Sequence, residues 1–287
     1  MTVSALEVQS KPAAAAGAEK KIALLGCGKM GTILLQALLE RGLVKANQVV
    51  ATVQHAERCQ KLSGELGGVA VSTDNRAAVA GAEIVLLCLK PQVLGQLLEE
   101  IAPVIGRQTL VISIAASTTT AFIHQKLGKE VPVVRAMPNT PATVGAAMTA
   151  VSAGPSARLD HVETTKLLFE SVGRAVIVDE RHMDAITALS ASGPAFVFVI
   201  LEALAEAGVK VGLPREMATT LVAQTLYGSA LLALKTGHHP ALLKDAVTTP
   251  AGCTIEGLME LEKGGLRVAL MNAVIKTTIR AKELMTS

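Results

Sequence analysis

The chain has 287 residues, half of them hydrophobic and 18% charged, with a formal net charge of +3. At roughly 150 residues per domain this length argues for about two domains, and the apolar content excludes general disorder. Lys and Arg are spread along the chain, and with no Trp, one Tyr and four Phe it has few flat aromatic faces, which speaks against nucleic-acid and sugar binding.

Residues 1–20 hold Ala13–Ala16, Gly17 and mixed charges, without a basic start leading into an apolar core. They are expected to be a disordered tail rather than a signal peptide. The four cysteines (Cys27, Cys59, Cys88 and Cys253) show neither C-x-x-C nor metal-ligand spacing. They are expected to be free thiols, and the protein to be soluble and cytoplasmic.

From Lys21 a regular alternation begins. Lys21–Gly26 predicts a strand, Leu34–Glu40 an amphipathic helix stopping near Gly42, Val49–Val53 a strand and Glu57–Leu66 a helix. Val69–Val71, Ile84–Leu89, Leu110–Ile114 and Val131–Arg135 read as further strands, with Pro91 suited to a first helical turn. The strands are continuously apolar, which predicts a parallel sheet covered on both faces. After Gly154-Pro155, a helix over Ala157–Phe169 and a strand over Arg174–Val178 join the same domain. Beyond Glu180 the strand signal stops. Helices are predicted over Ala195–Val211, Arg215–Leu234, Leu242–Val247, Ile255–Leu261 and Leu266–Leu284, punctuated by Gly and Pro clusters. Ala195–Leu201 is the most apolar window, but Glu202 and Glu206 interrupt it. A membrane span needs ~20 apolar residues, so a buried helix is expected.

Gly26-Cys27-Gly28-Lys29-Met30-Gly31 is a G-x-G-x-x-G placed between a strand and a helix. In that context the glycines give a tight turn, backbone access for a pyrophosphate, and close helix–strand packing. The fold class is therefore α/β: an N-terminal Rossmann dinucleotide-binding domain over 21–180, then an all-helical domain over 181–287. The long apolar helices of the latter carry more hydrophobic surface than ~100 residues can bury alone, which makes it a dimerisation domain. An NAD site usually places an acid at the end of the second strand. Here that stretch reads Thr52-Val53-Gln54-His55-Ala56-Glu57-Arg58. With no acid closing the strand, His55, Arg58 and Lys61 favour the 2′-phosphate of NADPH, NADH remaining possible. The expected cofactor contacts are Gly26, Gly28, Lys29, Met30, Gly31, Gln54, His55, Arg58, Asn75, Leu89, Lys90, Pro91 and Ala115.

Several motifs recur in a fixed order along the chain: the glycine fingerprint, Leu89-Lys90-Pro91-Gln92, Met137-Pro138-Asn139-Thr140-Pro141 and Leu189-Ser190-Ala191-Ser192-Gly193-Pro194-Ala195. Gly208-Val209, Gly212-Leu213-Pro214, His239-Pro240, Leu243-Lys244-Asp245 and Thr249-Pro250-Ala251-Gly252-Cys253-Thr254-Ile255 follow. Together they resemble the pyrroline-5-carboxylate reductases, which catalyse the last step of proline biosynthesis. The resemblance implies NAD(P)H-dependent hydride transfer to the C=N carbon of 1-pyrroline-5-carboxylate. It also implies a homodimer or higher homo-oligomer with interlocked helical domains, and an active site between one subunit's cofactor and its partner's helical domain. Four positions depart from the family's usual pattern, one of them Thr249 where serine is common. Ala191 and Ala251 stand where glycine is common, and Ser117 follows Ala116 where the family often has Ala-Gly.

Thr254 is the candidate catalytic residue, holding the ring nitrogen; its other reading is a plain helix N-cap. The turn before it offers backbone N–H groups for the substrate carboxylate. Thr249, Gly252, Cys253 and Thr254 are expected to contact substrate, with Val247 and Thr248 beside them. Glu180 resembles a substrate-pocket acid by family position, with a surface carboxylate as the alternative. Ser192 is expected to contact substrate or to cap the next helix. Alkylation of Cys253 is expected to inhibit. His238-His239 do not share a helical face and no third ligand is evident, so no metal is expected. A related imine reductase or β-hydroxyacid dehydrogenase is the competing enzyme reading. The lone Lys210 at the far end of the Ala195–Val211 helix counts against the dehydrogenase. A non-catalytic NADPH-binding protein would have no need of the Thr249–Thr254 loop.

Overall fold

The computed structural model describes residues 20–128 and 130–286. The expected tail, Lys20 aside, lies outside them. The chain forms two compact units, one running to Ala191 and taking in the residues from Thr278, the other spanning Ser192–Thr277.

The first unit is built on eight strands: β1 (Ile22–Leu25), β2 (Val49–Thr52), β3 (Ala70–Ser72), β4 (Ile84–Leu87), β5 (Leu110–Ser113), β6 (Val133–Met137), β7 (Ala147–Ala153) and β8 (Gly173–Ile177). Their order in the sheet is β3-β2-β1-β4-β5-β6-β7-β8. Helices α1 (Lys29–Glu40), α2 (Glu57–Glu65), α3 (Asn75–Val79), α4 (Pro91–Ile101), α5 (Thr120–Leu127), α6 (Leu159–Phe169) and α7 (Met183–Ile186) belong to this unit. Every residue of β1, β4, β5 and β6 is buried, as continuous apolar runs demand when helices cover both faces. On one face Leu24 and Leu86 pack with Leu34 of α1 and Phe169 of α6; on the other Leu25 and Leu87 pack with Leu94 and Leu98 of α4.

The sheet is not wholly parallel, as the strand character had predicted. β7 runs antiparallel to β6, pairing Met137 with Ala150 and Val134 with Ala153. The link between them is a single 3₁₀ turn, Thr140–Val144, closed by left-handed Gly145. That link is too short for the crossover a parallel pair requires. Two short helices escaped the periodicity reading. Asp74 caps α3 by accepting the Ala77 N–H at 2.9 Å, and Thr119 caps α5 by accepting the Phe122 N–H at 3.1 Å. Residues 180–191 stay with the sheet because Met183 is buried against Met137 and Ala150.

The second unit contains α8 (Gly193–Lys210), α9 (Arg215–Thr236), α10 (Pro240–Ala246), α11 (Cys253–Lys263) and the first part of α12 (Leu266–Thr286). α8 and α9 form a hairpin closed by Gly212 (φ +103°) and by the Leu213 N–H on Gly208 O at 3.0 Å. A Cβ on Gly208 would lie 2.9 Å from Ala218 Cβ, so glycine sets how closely the two helices approach. The buried helix expected at Ala195–Leu201 is not buried within the chain. Val197, Phe198 and Val199 are 46%, 62% and 64% exposed, and the helix buries Ala205. By length and composition alone, the helical segments Glu180–Lys210 and Arg215–Thr236 are long and apolar enough to cross a membrane.

Candidate functional site

β1 delivers the chain to Gly26, whose φ of +81° is left-handed. A Cβ there would meet Leu89 Cγ at 2.5 Å, and one on Gly31 would meet Gly26 O at 3.0 Å and Leu24 Cδ2 at 3.1 Å. A Cβ on Gly28 would have only Gly26 O within 4 Å, at 3.9 Å, so its outer side is open. The first glycine thus makes the turn, the third lets helix and strand touch, and the second leaves room for a ligand. Gly28 is the N-cap of α1 and no side chain caps it. The first-turn N–H groups therefore face outward at the positive end of the helix, and a pyrophosphate fits this cradle.

Thr52 closes β2 beneath the turn. Its carbonyl accepts the Cys27 N–H at 2.7 Å and its Oγ1 accepts the Gly26 N–H at 3.3 Å. The same hydroxyl donates to Asn75 Oδ1 at 2.7 Å, and Asn75 Nδ2 donates to Glu100 Oε2 at 3.3 Å. Arg58 Nη2 donates to Cys27 O at 3.4 Å, which brings a guanidinium to the glycine loop. Gln54 and His55 are exposed beside it, whereas Lys61 pairs with Glu65 within α2. Burial pushes the Cys27 and Cys88 thiols above their ordinary range, so neither is a thiolate in this site.

Lys90 is the exposed N-cap of α4 and Pro91 its first residue, both beside the half-buried Leu89. Ala115 is buried just past β5, its N–H on Ser113 Oγ at 3.3 Å, and Ser117 two residues on holds a left-handed φ of +53°. This loop is braced from below. Glu180 accepts the Thr120 N–H at 2.8 Å and the Thr120 hydroxyl at 2.7 Å, and lies 3.6 Å from Arg135 Nη1. Arg135 projects from β6 and is 1% exposed. Burial lowers its pKa while Glu180 and Asp184 raise it, so opposite charges hold the guanidinium in the core. A lone arginine inside an apolar strand is the sequence signal for this brace. Asn139 ties a third loop, accepting the Met148 N–H at 3.0 Å and donating to Ser190 O at 3.2 Å. Ser190 sits in the π-helical turn Thr187–Ala191 that leads to Ser192, which precedes α8 without a side-chain cap.

In the helical unit, His239 caps α10 by accepting the Ala241 N–H on Nδ1 at 3.2 Å. Thr248 Oγ1 donates to Lys244 O at 2.8 Å, and the Gly252 N–H closes a turn on Thr249 O at 3.0 Å. Ala251 is left-handed in that turn, with φ +56°. A Cβ on Gly252 would fall 2.4 Å from Thr249 Oγ1. α11 starts at Cys253, earlier than expected, and its N-cap is Gly252. Thr254 is therefore not the cap, and its hydroxyl stays available in the first helical turn. Thr249, Gly252, Cys253 and Thr254 thus share one turn, with Val247 exposed before it; Ser192 and Glu180 stand on other elements, Glu180 in the sheet unit.

A family profile described as pyrroline-5-carboxylate reductase dimerisation matches residues 180–284. A second, described as NADP oxidoreductase, coenzyme F420-dependent, matches residues 21–117. A pyrroline-5-carboxylate reductase of Methanosarcina acetivorans is 43% identical over 265 residues, covering 92% of this chain and 98% of the relative. The chain belongs to the pyrroline-5-carboxylate reductase family. The fold agrees: the solved pyrroline-5-carboxylate reductase of Coxiella burnetii superposes with a TM-score of 0.86 at 34% identity, over 92% of this chain and 98% of that one. The Plasmodium falciparum enzyme, solved with NADP bound, gives 0.83 at 28% identity over 93% and 98%. The chain is thus an NADP-dependent oxidoreductase of this family.

Proposed function

We propose that the chain reduces the C=N bond of 1-pyrroline-5-carboxylate with NADPH, giving L-proline and NADP⁺. The observation that carries this reading is the pairing of a pyrophosphate cradle at Gly26–Gly31 with an uncapped helix start at Gly252–Thr254. When bound, NADPH supplies a hydride. The N–H groups opening α1 hold its pyrophosphate, and Arg58 and His55 take the 2′-phosphate, so NADPH is preferred and NADH is the weaker donor. The N–H groups opening α11 bind the substrate carboxylate, and the Thr254 hydroxyl hydrogen-bonds the ring nitrogen. The protonated imine carbon accepts the hydride and becomes the amine carbon, so proton and electron pair both end in the product. Position and electrostatics suffice for such a step. Thr249, Val247, Thr248 and Cys253 shape the pocket around the ring. Ser192 contacts the substrate, and Glu180, in the sheet unit, is a substrate-pocket acid that also holds Thr120.

The functional form is a homo-oligomer with interlocked helical units. The exposed apolar residues of α8 and α9 and the dimerisation profile support it. A bilayer is a poor alternative cover, because Glu202 and Glu206 place two carboxylates inside α8. The protein is cytoplasmic and binds no nucleic acid.

The test follows NADPH absorbance with 1-pyrroline-5-carboxylate as acceptor. Turnover is expected, with NADH slower, and Thr254→Ala lowering kcat about 100-fold while NADPH affinity holds. NADPH binding without turnover would remove the imine and open other cyclic imines and 2-hydroxy acids.

A further inference from the structure

We propose that Thr52 is a positioning residue for NADPH, acting through Asn75 and the glycine turn. The residue is 1% exposed and sits behind the cradle. Its carbonyl and hydroxyl oxygens receive the two N–H groups that open the turn, Cys27 at 2.7 Å and Gly26 at 3.3 Å. Those two donors are thereby withdrawn from the ligand, which leaves the phosphates to the N–H groups opening α1. A threonine hydroxyl has one proton, and here it goes to Asn75 Oδ1 at 2.7 Å. The Asn75 amide is then fixed with its oxygen inward and its NH₂ outward. One of those two hydrogens meets Glu100 Oε2 at 3.3 Å, and the other is offered to a ribose hydroxyl. A buried hydroxyl thus decides which face of an amide the nucleotide meets, without touching the nucleotide.

Thr52→Val keeps the shape and removes both hydrogen bonds of the hydroxyl. The readout is the Kd for NADPH, by fluorescence titration of the purified protein, alongside the melting temperature without ligand. Thr52→Val is expected to raise Kd about tenfold, and Thr52→Ser to restore it to within about twofold of wild type. In turnover the loss appears in KM for NADPH rather than in kcat. Because Thr52 works partly through Asn75, the double variant Thr52→Val/Asn75→Ala is expected to lose less than the product of the single losses. Should the valine variant not fold, Thr52→Ala removes the same hydroxyl and carries the same test. An unchanged Kd, losses that multiply, or a serine variant no better than valine would overturn the proposal. The inference rests on the NADP site and not on the imine, so absence of turnover leaves the Kd series decisive.

Discussion

The sheet unit and the helical unit are both rich in apolar residues and dispose of them in opposite ways. Leu24, Leu25, Leu86 and Leu87 are sealed between two helical layers. Phe198, Leu221, Leu232 and Ile275 lie on helix surfaces that the chain itself leaves bare. A strand buried on both faces finds its cover within its own sequence neighbourhood, because each β-α unit returns a helix to the sheet. Long helices linked by tight turns have no such layer, and their outer faces wait for a second copy. The sheet unit is thus a folding problem solved within one chain, and the helical unit one solved by assembly.

Charge placed on the helical face tests the comparison most severely. Phe198→Glu is expected to convert the oligomer to monomer by sedimentation and to lower turnover at least about tenfold, while NADPH still binds the sheet unit. An unchanged assembly would mean that α8 is covered by something else. The counterpart in the sheet is Leu86→Ala. It is expected to cost about 3 kcal/mol in urea unfolding and to leave the assembly intact, because the cavity opens inside one unit. Cys253 offers a third probe. It is exposed at the start of α11, on the turn proposed to hold the substrate, while Cys27 is buried. N-ethylmaleimide is expected to abolish most activity of the native protein and little in Cys253→Ala; equal sensitivity would place the reactive thiol elsewhere.

The smallest effect joins the two units. Ser117 and Ala251 are the non-glycine residues with positive φ among the described residues, one in each unit. Both occupy positions where the family commonly has glycine. A left-handed L-residue costs ~1–2 kcal/mol, and glycine returns part of that as chain entropy. Ser117→Gly and Ala251→Gly are each expected to add about 0.5–1 kcal/mol to unfolding free energy. A loss instead would show that the Cβ atoms pack usefully in those turns.

How much was legible beforehand follows the range of the interactions. The glycine fingerprint was legible because turn, access and close packing act within six residues. Asp74 and Thr119 were legible caps in principle, but their helices are too short for a periodic signal. The start of α11 carries no signal in the sequence because its cap is Gly252, which supplies no capping side chain. Glu180 stands out in the sequence, whereas its contacts do not. Thr120 and Arg135 lie far from it in sequence and meet it only when α5 and β6 are side by side.

By itself, then, the sequence determined the buried strands, the run of C-terminal helices and the glycine turn after β1, since composition and spacing act over a few residues. The tertiary structure decided the rest. It turned β7 antiparallel, because the link from β6 is one short turn. It buried Arg135 between acids brought from beyond β8. It aimed Asn75 through the hydroxyl of Thr52, and it left the helical face open, because strand order and helix docking are settled by contacts between residues far apart in the chain.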